Sequence, residues 1–238
     1  MTRRRWIADE FDQRRAAITG EHAAHLARVL RARIGQEFDI ALGERVRLGR
    51  VVAVSDERVE FELAEEIPAA RNVAEVTVLL AVIKFDRFEW AVEKLTELGV
   101  ERIVPLLAAR TDAHLATAAA KRAERWRRVA REAAEQSRRS QPPEIADPIQ
   151  LKLALQMSAD ARLVLSESSS GATLREALGT TPSALSLAIA IGPEGGWTAD
   201  EEKQFAAAGW RAISLGAQIL RSETAAIASV AALQAWLL

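Results

Sequence analysis

The chain has 238 residues, enough for one large domain or two modest ones. Apolar residues are 49% and charged residues 27%, which supports an ordinary core and excludes wholesale disorder. With no cysteine and only His22, His25 and His114, disulfides, thiolate metal sites and multi-histidine metal sites are not expected. No apolar run nears the ~18 residues of a membrane span. The basic start 1-MTRRRWIADE-10 has no apolar segment behind it, so a secretory signal is not expected. A metal-free cytoplasmic protein is the expectation.

The net charge of −1 conceals an asymmetry. Lys121 to Ser140 carries eight basic residues against three acids, and Gln141 to the end carries six against ten. One basic segment in a neutral chain suits a local polyanion site better than a general nucleic-acid coat.

Up to about residue 70 the pattern is of short β elements. Segments 36–42, 45–54 and 57–63 alternate apolar and polar positions, with turns at 42-LGE-44 and 55-SDE-57. The stretch 21–35 has helical spacing and ends on Gly35. A small barrel with one helix is expected over residues 1–70, with 64–75 as a linker. From residue 71 the rhythm changes. The run 76-VTVLLAVI-83 is continuously apolar, as strands covered on both faces are. Helix 86–99 follows, with Phe88, Ala91, Val92, Leu95 and Leu98 on one face and Gly99 as its stop. Strand 102–107, a basic helix near 119–137, strand 161–167, helix 173–179, strand 184–192, helix 198–209, strand 210–216 and helix 222–238 complete the alternation. Residues 71–238 are therefore expected to form an α/β domain around a mainly parallel sheet.

Ligands of such sheets sit beyond the carboxyl ends of the strands. Two loops stand out there. In 191-IGPEGGW-197 three glycines surround one glutamate, and two readings are open: a plain strand-to-helix turn, or a backbone left bare for a ligand. The loop lacks the lysine of a P-loop and the GxGxxG spacing, and Asp200, Glu201 and Glu202 behind the expected cap Thr198 disfavour phosphate. In 215-LGAQILRSETAA-226, Arg221 and Glu223 flank Ser222 amid apolar residues. They are either a surface ion pair at a helix start or site groups. In 131-REAAEQSRRSQPPEI-145, Arg138 and Arg139 stand where the helix must break before the prolines, better placed to grip a phosphate or base than the mid-helix arginines. Arg122 and Arg125 read as a solvated basic face.

Taken in register, 192-GPEGG-196, 215-LGAQILRSETAA-226, 94-KLTELGV-100, 135-EQSRR-139 before Pro143, 25-HLARVLRARIGQ-36 and Arg5-Trp6 resemble the RsmE family of the SPOUT superfamily. The resemblance covers nearly the whole chain. It implies an N-terminal PUA-like β-barrel that helps hold RNA, a trefoil-knotted α/β domain, a homodimer, and transfer of a methyl group from S-adenosylmethionine to N3 of a uridine in 16S ribosomal RNA. It further implies that Leu165, Ser166, Ile191, Gly192, Gly195, Gly196, Leu215, Gly216, Ile219 and Leu220 line the cofactor. Arg221 is then the group beside the reactive base, with Glu223 orienting it or taking the proton. Arg138 or Arg139, the latter favoured by counting back from Pro143, would hold RNA, with Arg5 and Arg31 as further contacts. Glu194 is left to cap the amides of the following helix, and His25 to a structural role. Two alternatives stay open: a non-catalytic RNA-binding or ribosome-assembly protein on the same fold, and a SPOUT methyltransferase with another RNA target.

Overall fold

The computed structural model describes residues 4–68, 74–166, 172–179 and 186–237. The chain divides into two compact units, one of Met1–Arg71 with Ala134–Pro142, the other of Asn72–Ala133 with Pro143–Leu238. The segment Ala134–Pro142, which the sequence places with the α/β part, thus goes with the first unit.

The first unit is a curled six-stranded sheet, a half-barrel, ordered β1 (Arg5–Ile7), β4 (Glu37–Leu42), β5 (Arg45–Val54), β6 (Arg58–Ile67), β3 (Arg15–Thr19) and β2 (Glu10–Phe11). Only β1 and β4 pair in parallel. Alternation in β6 buries Val59, Phe61 and Leu63 on one face, where Phe61 meets Phe38 edge-on at 6.2 Å. Strands β1, β2 and β3 carry too few alternating positions to be read from sequence. The expected linker 64–75 is strand through Ile67, because Arg47 and Glu66 still pair across β5 and β6. Part of it, 69–73, lies outside the described residues.

The expected helix 21–35 is much shorter. α1 (Gly20–Ala24) passes into a π-wound turn, His25–Val29, closed by the Leu30 amide donating to the His25 carbonyl at 3.1 Å. Arg31 then takes a φ of 52° and leaves the helix. Gly35 is no helix stop: its amide donates to the Val51 carbonyl at 2.8 Å and leads the chain into β4.

The second unit is built on an all-parallel sheet. Its order is β10 (Ile149–Gln150), β8 (Arg102–Leu107), β7 (Glu75–Ala81), β12 (Ser186–Ile191), β11 (Ala161–Leu165) and β13 (Arg211–Ile213), with β9 (Glu144–Ile145) also pairing β8. All its strand pairs are parallel. The period of two divides β7 between the faces. Val76, Val78 and Leu80 join one core with Phe88, Val92 and Leu95 of α2 (Phe85–Glu97), Trp126 and Ala130 of α3 (Ala113–Gln136), and Val230 and Leu233 of α7 (Ser222–Leu237). Leu79 and Ala81 join the opposite core, with Leu151 of α4 (Leu151–Ala154), Phe205 of α6 (Ala199–Ala207), Trp197 and Trp210. Burial on both faces explains the unbroken apolar run read in the sequence. α5 (Leu174–Leu178) closes the first face through Ala177.

α2 buries the predicted stripe and ends at Gly99, whose φ of 82° suits a helix stop. Strand 210–216 is shorter than expected: β13 stops at Ile213, and 214–221 becomes a loop. Among the described residues no helix is long and apolar enough to cross a membrane.

Candidate active site

The parallel sheet brings the carboxyl ends of β11, β12 and β13 together, since Val164 pairs with both Ala190 and Ala212. The loops leaving those ends border a cavity of about 440 Å³. All ten residues expected to meet the cofactor line it: Leu165 and Ser166 at the end of β11, Ile191, Gly192, Gly195 and Gly196 at and beyond the end of β12, and Leu215, Gly216, Ile219 and Leu220 after β13. Arg221 and Ser222 complete that wall.

The glycine-rich loop has a physical reason for its composition. The Pro193–Gly196 turn closes through the Gly196 amide donating to the Pro193 carbonyl at 2.8 Å, and Gly196 has a φ of 70°. At Gly192 a Cβ would stand 3.1 Å from Cε2 of Trp197, so the indole needs the bare α-carbon. That indole is fixed by its Nε1–H, which donates to the Leu165 carbonyl at 2.9 Å, and by edge-on packing on Phe205 at 4.8 Å. Arg110, from the turn after β8, donates to the carbonyls of Gly195 at 2.6 Å and Trp197 at 3.2 Å. The glycine turn is thereby held from outside itself.

The acids behind the loop are divided in role. Thr198 caps α6 as expected, and Glu201 returns the bond to the Thr198 amide at 2.8 Å. Glu201 is buried, and its other oxygen accepts from the Ala109 amide at 2.7 Å. Glu202 lines the cavity and accepts from the Ser166 hydroxyl at 3.3 Å. Glu194 caps nothing in α6: Thr198 and Glu201 fill that role, and Glu194 pairs with Arg87 of α2.

Arg221 and Glu223 are separated by burial. Arg221 is exposed at the cavity wall, and no ion pair to it is found among the described residues. Glu223, in the first turn of α7, is 5% exposed and does not pair with Arg221. Its Oε1 stands 3.8 Å from the Arg87 Nε, while its Oε2 is buried without a hydrogen bond. Ile219 is 79% exposed, an unusual state for a large apolar side chain beside a cavity.

The arginines expected to meet RNA lie in the first unit, and the structure sorts them. Arg5 is 7% exposed and donates to the Arg138 carbonyl, with Asp39 3.9 Å away. Its guanidinium pKa is lowered, first by burial and then by the charge of Arg138, with Asp39 opposing both. Arg5, expected to contact RNA, is thus enclosed, with its guanidinium turned to partners inside the first unit. Arg138 has a φ of 62° and donates to buried Asp39 at 2.8 Å, with 41% of its side chain exposed. The Arg139 amide donates to the Ala134 carbonyl at 2.9 Å. Arg31 is exposed at its positive-φ corner. On α3, Arg122 stacks on Phe85 at 4.7 Å and Arg125 meets Glu89 at 3.3 Å, in keeping with a locally paired basic face. His25 is exposed, its ring 6.0 Å from that of Trp6.

Sequence reasoning missed Arg87, Arg110 and Trp197 as parts of this wall. The two arginines stand on α2 and after β8, far along the chain, with no local motif. The proximity of Trp197 to three glycines was the one available signal.

The chain resembles known proteins over most of its length. A family model described as an RNA methyltransferase domain matches residues 70–234. The Bacillus subtilis (strain 168) protein named ribosomal RNA small subunit methyltransferase E is 31% identical over 226 residues, covering 91% of this chain and 88% of that protein. A protein of the same name from Mycobacterium tuberculosis is 34% identical over 229 residues, covering 91% and 85%. Among solved structures, the ribosomal RNA small subunit methyltransferase E of Neisseria gonorrhoeae bound to S-adenosyl methionine superposes with a TM-score of 0.87 at 28% identity, covering 98% of each chain. A Legionella pneumophila protein in complex with the bound cofactor SAM superposes with a TM-score of 0.89 at 27% identity, covering 99% of this chain and 98% of that one. The chain belongs to the ribosomal RNA small subunit methyltransferase E family.

Proposed function

We propose that this protein methylates N3 of a uridine in the 16S ribosomal RNA of the small subunit, with S-adenosylmethionine as methyl donor. The observation that carries the reading is the glycine-walled cavity of about 440 Å³, bordered by both sequence-identified loops, in a chain whose relatives bear that name and whose structural neighbours hold that cofactor. The volume is in the ordinary range for a small-molecule site, about 300–1,000 Å³. The lining suits the group. Open space over the α-carbon of Gly216 admits a flat adenosine, and the carboxylates of Glu194 and Glu202 suit a cationic ligand better than a phosphate.

When bound, S-adenosylmethionine supplies an electrophilic methyl group. The chain has to do the rest. Uridine N3 is an imide nitrogen that must lose its proton, and the departing charge spreads onto the two flanking carbonyl oxygens. Arg221, exposed at the cavity wall, is the donor that meets this developing charge. Glu223, with a buried and unpartnered Oε2, is the carboxylate available to take the proton or to orient the base. Arg31, Arg138 and Arg139 of the first unit hold RNA, through phosphates more than base edges. The protein acts in the cytoplasm as a homodimer, with loops 192–197 and 214–221 forming the knot's cofactor site.

The test is nucleoside mass spectrometry of small-subunit rRNA from a strain lacking this gene. Loss of one 3-methyluridine, restored by complementation, is expected. If 3-methyluridine persists at the wild-type level, the target assignment is wrong; absence of S-adenosylmethionine binding by calorimetry would sink the catalytic reading altogether.

A further inference from the structure

Glu223 cannot be understood from its own loop. It is a buried carboxylate, 6% exposed at its side chain, whose Oε2 has no hydrogen-bond partner. A carboxylate is costly to enclose without a charged or hydrogen-bonding partner. Arg221, two residues away, is exposed and makes no ion pair with it among the described residues. The cation that faces it comes from another element. Arg87 stands in the first turn of α2, 28% exposed at its side chain, and places its Nε 3.8 Å from the Glu223 Oε1. The same guanidinium donates through NH1 to the Glu194 Oε1, in the Pro193–Gly196 turn. One arginine thus joins the start of α2, the glycine turn after β12 and the start of α7, and all three border the cavity.

We propose that Arg87 is a positioning residue of the methyl-transfer site, acting on the reaction through Glu223, whose side chain it holds in place. The inference rests on the methyl-transfer reading above. Two carboxylates share one guanidinium, so the cluster keeps an excess negative charge, and Glu194 competes with Glu223 for Arg87.

The purified full chain would be assayed for methyl transfer to small-subunit rRNA, with S-adenosylmethionine binding followed by calorimetry. For Arg87→Ala turnover is expected to fall about tenfold or more, and Arg87→Lys should restore part of it. Cofactor affinity should change less than turnover. Normal turnover per folded molecule overturns the proposal, and so does a change confined to melting temperature. Where Arg87→Ala does not fold, Arg87→Lys and Arg87→Gln carry the test: turnover per folded molecule should fall further for glutamine than for lysine, and wild-type turnover in both is the contrary result. Wild-type protein that binds S-adenosylmethionine but methylates no rRNA would sink the underlying reading instead, whatever the variants do.

Discussion

The indole of Trp197 lies on the bare α-carbon of Gly192, and its Nε1–H reaches across to the Leu165 carbonyl at 2.9 Å. Three cavity walls are referred to one side chain by that contact: the end of β11, the end of β12, and the turn into α6. Gly192→Ala would put a methyl 3.1 to 3.4 Å from three ring atoms of an indole that packing on Phe205 prevents from retreating. Overpacking of this kind costs about 1–3 kcal/mol. Because the strained wall belongs to the cavity, affinity for S-adenosylmethionine should fall about tenfold, with a melting temperature lower by a few degrees, on the order of 2–4 °C per kcal/mol. Calorimetry and thermal melting of the variant check both.

Trp197→Phe separates the hydrogen bond from the packing. The ring contact with Phe205 survives, while the Leu165 carbonyl loses its donor. A loss of about 1 kcal/mol is expected in urea unfolding, with weaker cofactor binding as Leu165 shifts. A Leu165 wall that keeps full affinity in this variant would show that the indole serves only the core.

Arg221 stands exposed at the cavity with no ion-pair partner among the described residues, so nothing in the fold depends on its charge. Arg221→Ala should therefore melt within a degree or two of wild type, bind S-adenosylmethionine about as well, and lose roughly 100-fold or more in turnover. Single-turnover methyl transfer beside a binding isotherm would measure the split. Near-normal turnover would remove Arg221 from the reaction.

In the first unit, Asp39 faces two guanidiniums, accepting from Arg138 at 2.8 Å with Arg5 at 3.9 Å. Asp39→Ala leaves Arg5 buried beside a like charge. The expected loss is about 3 kcal/mol, at the low end for broken buried pairs because Arg138 is part-exposed and can turn to water. Chemical denaturation should show it. An unchanged midpoint would mean that Arg5 is supported by backbone carbonyls alone.

A pH test concerns α5. Glu176 accepts from the Thr173 amide at 2.7 Å and its hydroxyl at 2.8 Å, and these bonds, the amide first, hold its carboxyl pKa below the usual value. A depressed folded pKa contributes stability that is present above the unfolded value, about 4.3, and lost as pH falls through the folded one. Wild-type protein should therefore lose melting temperature more steeply on acidification below that value than Glu176→Gln. Parallel slopes would show that the capping box does not form in solution.

How much of this was legible beforehand depends on range along the chain. The face of α2 with Phe88, Val92 and Leu95, the stop at Gly99 and the cap at Thr198 were readable, because helical period and end chemistry are local. So were the two loops of the cavity, each a concentration of unusual residues directly after an apolar run. Helix 21–35 was misread because its spacing continues past the point where the backbone turns away at Arg31. The burial of Arg5 was not legible, because a charged side chain near the terminus gives no sign of the buried carboxylate it will meet on β4.

The amino-acid sequence by itself determined the alternation of strands and helices, the bare backbone of Gly192, Gly195 and Gly196, and the charged run at Arg221 and Glu223, since composition and period act within a few residues. Only the tertiary structure decided which charges meet. Arg87, Glu194 and Glu223 lie far apart in the chain and become neighbours because parallel strands point their ends the same way, delivering the loops after β7, β12 and β13 to one edge of the sheet.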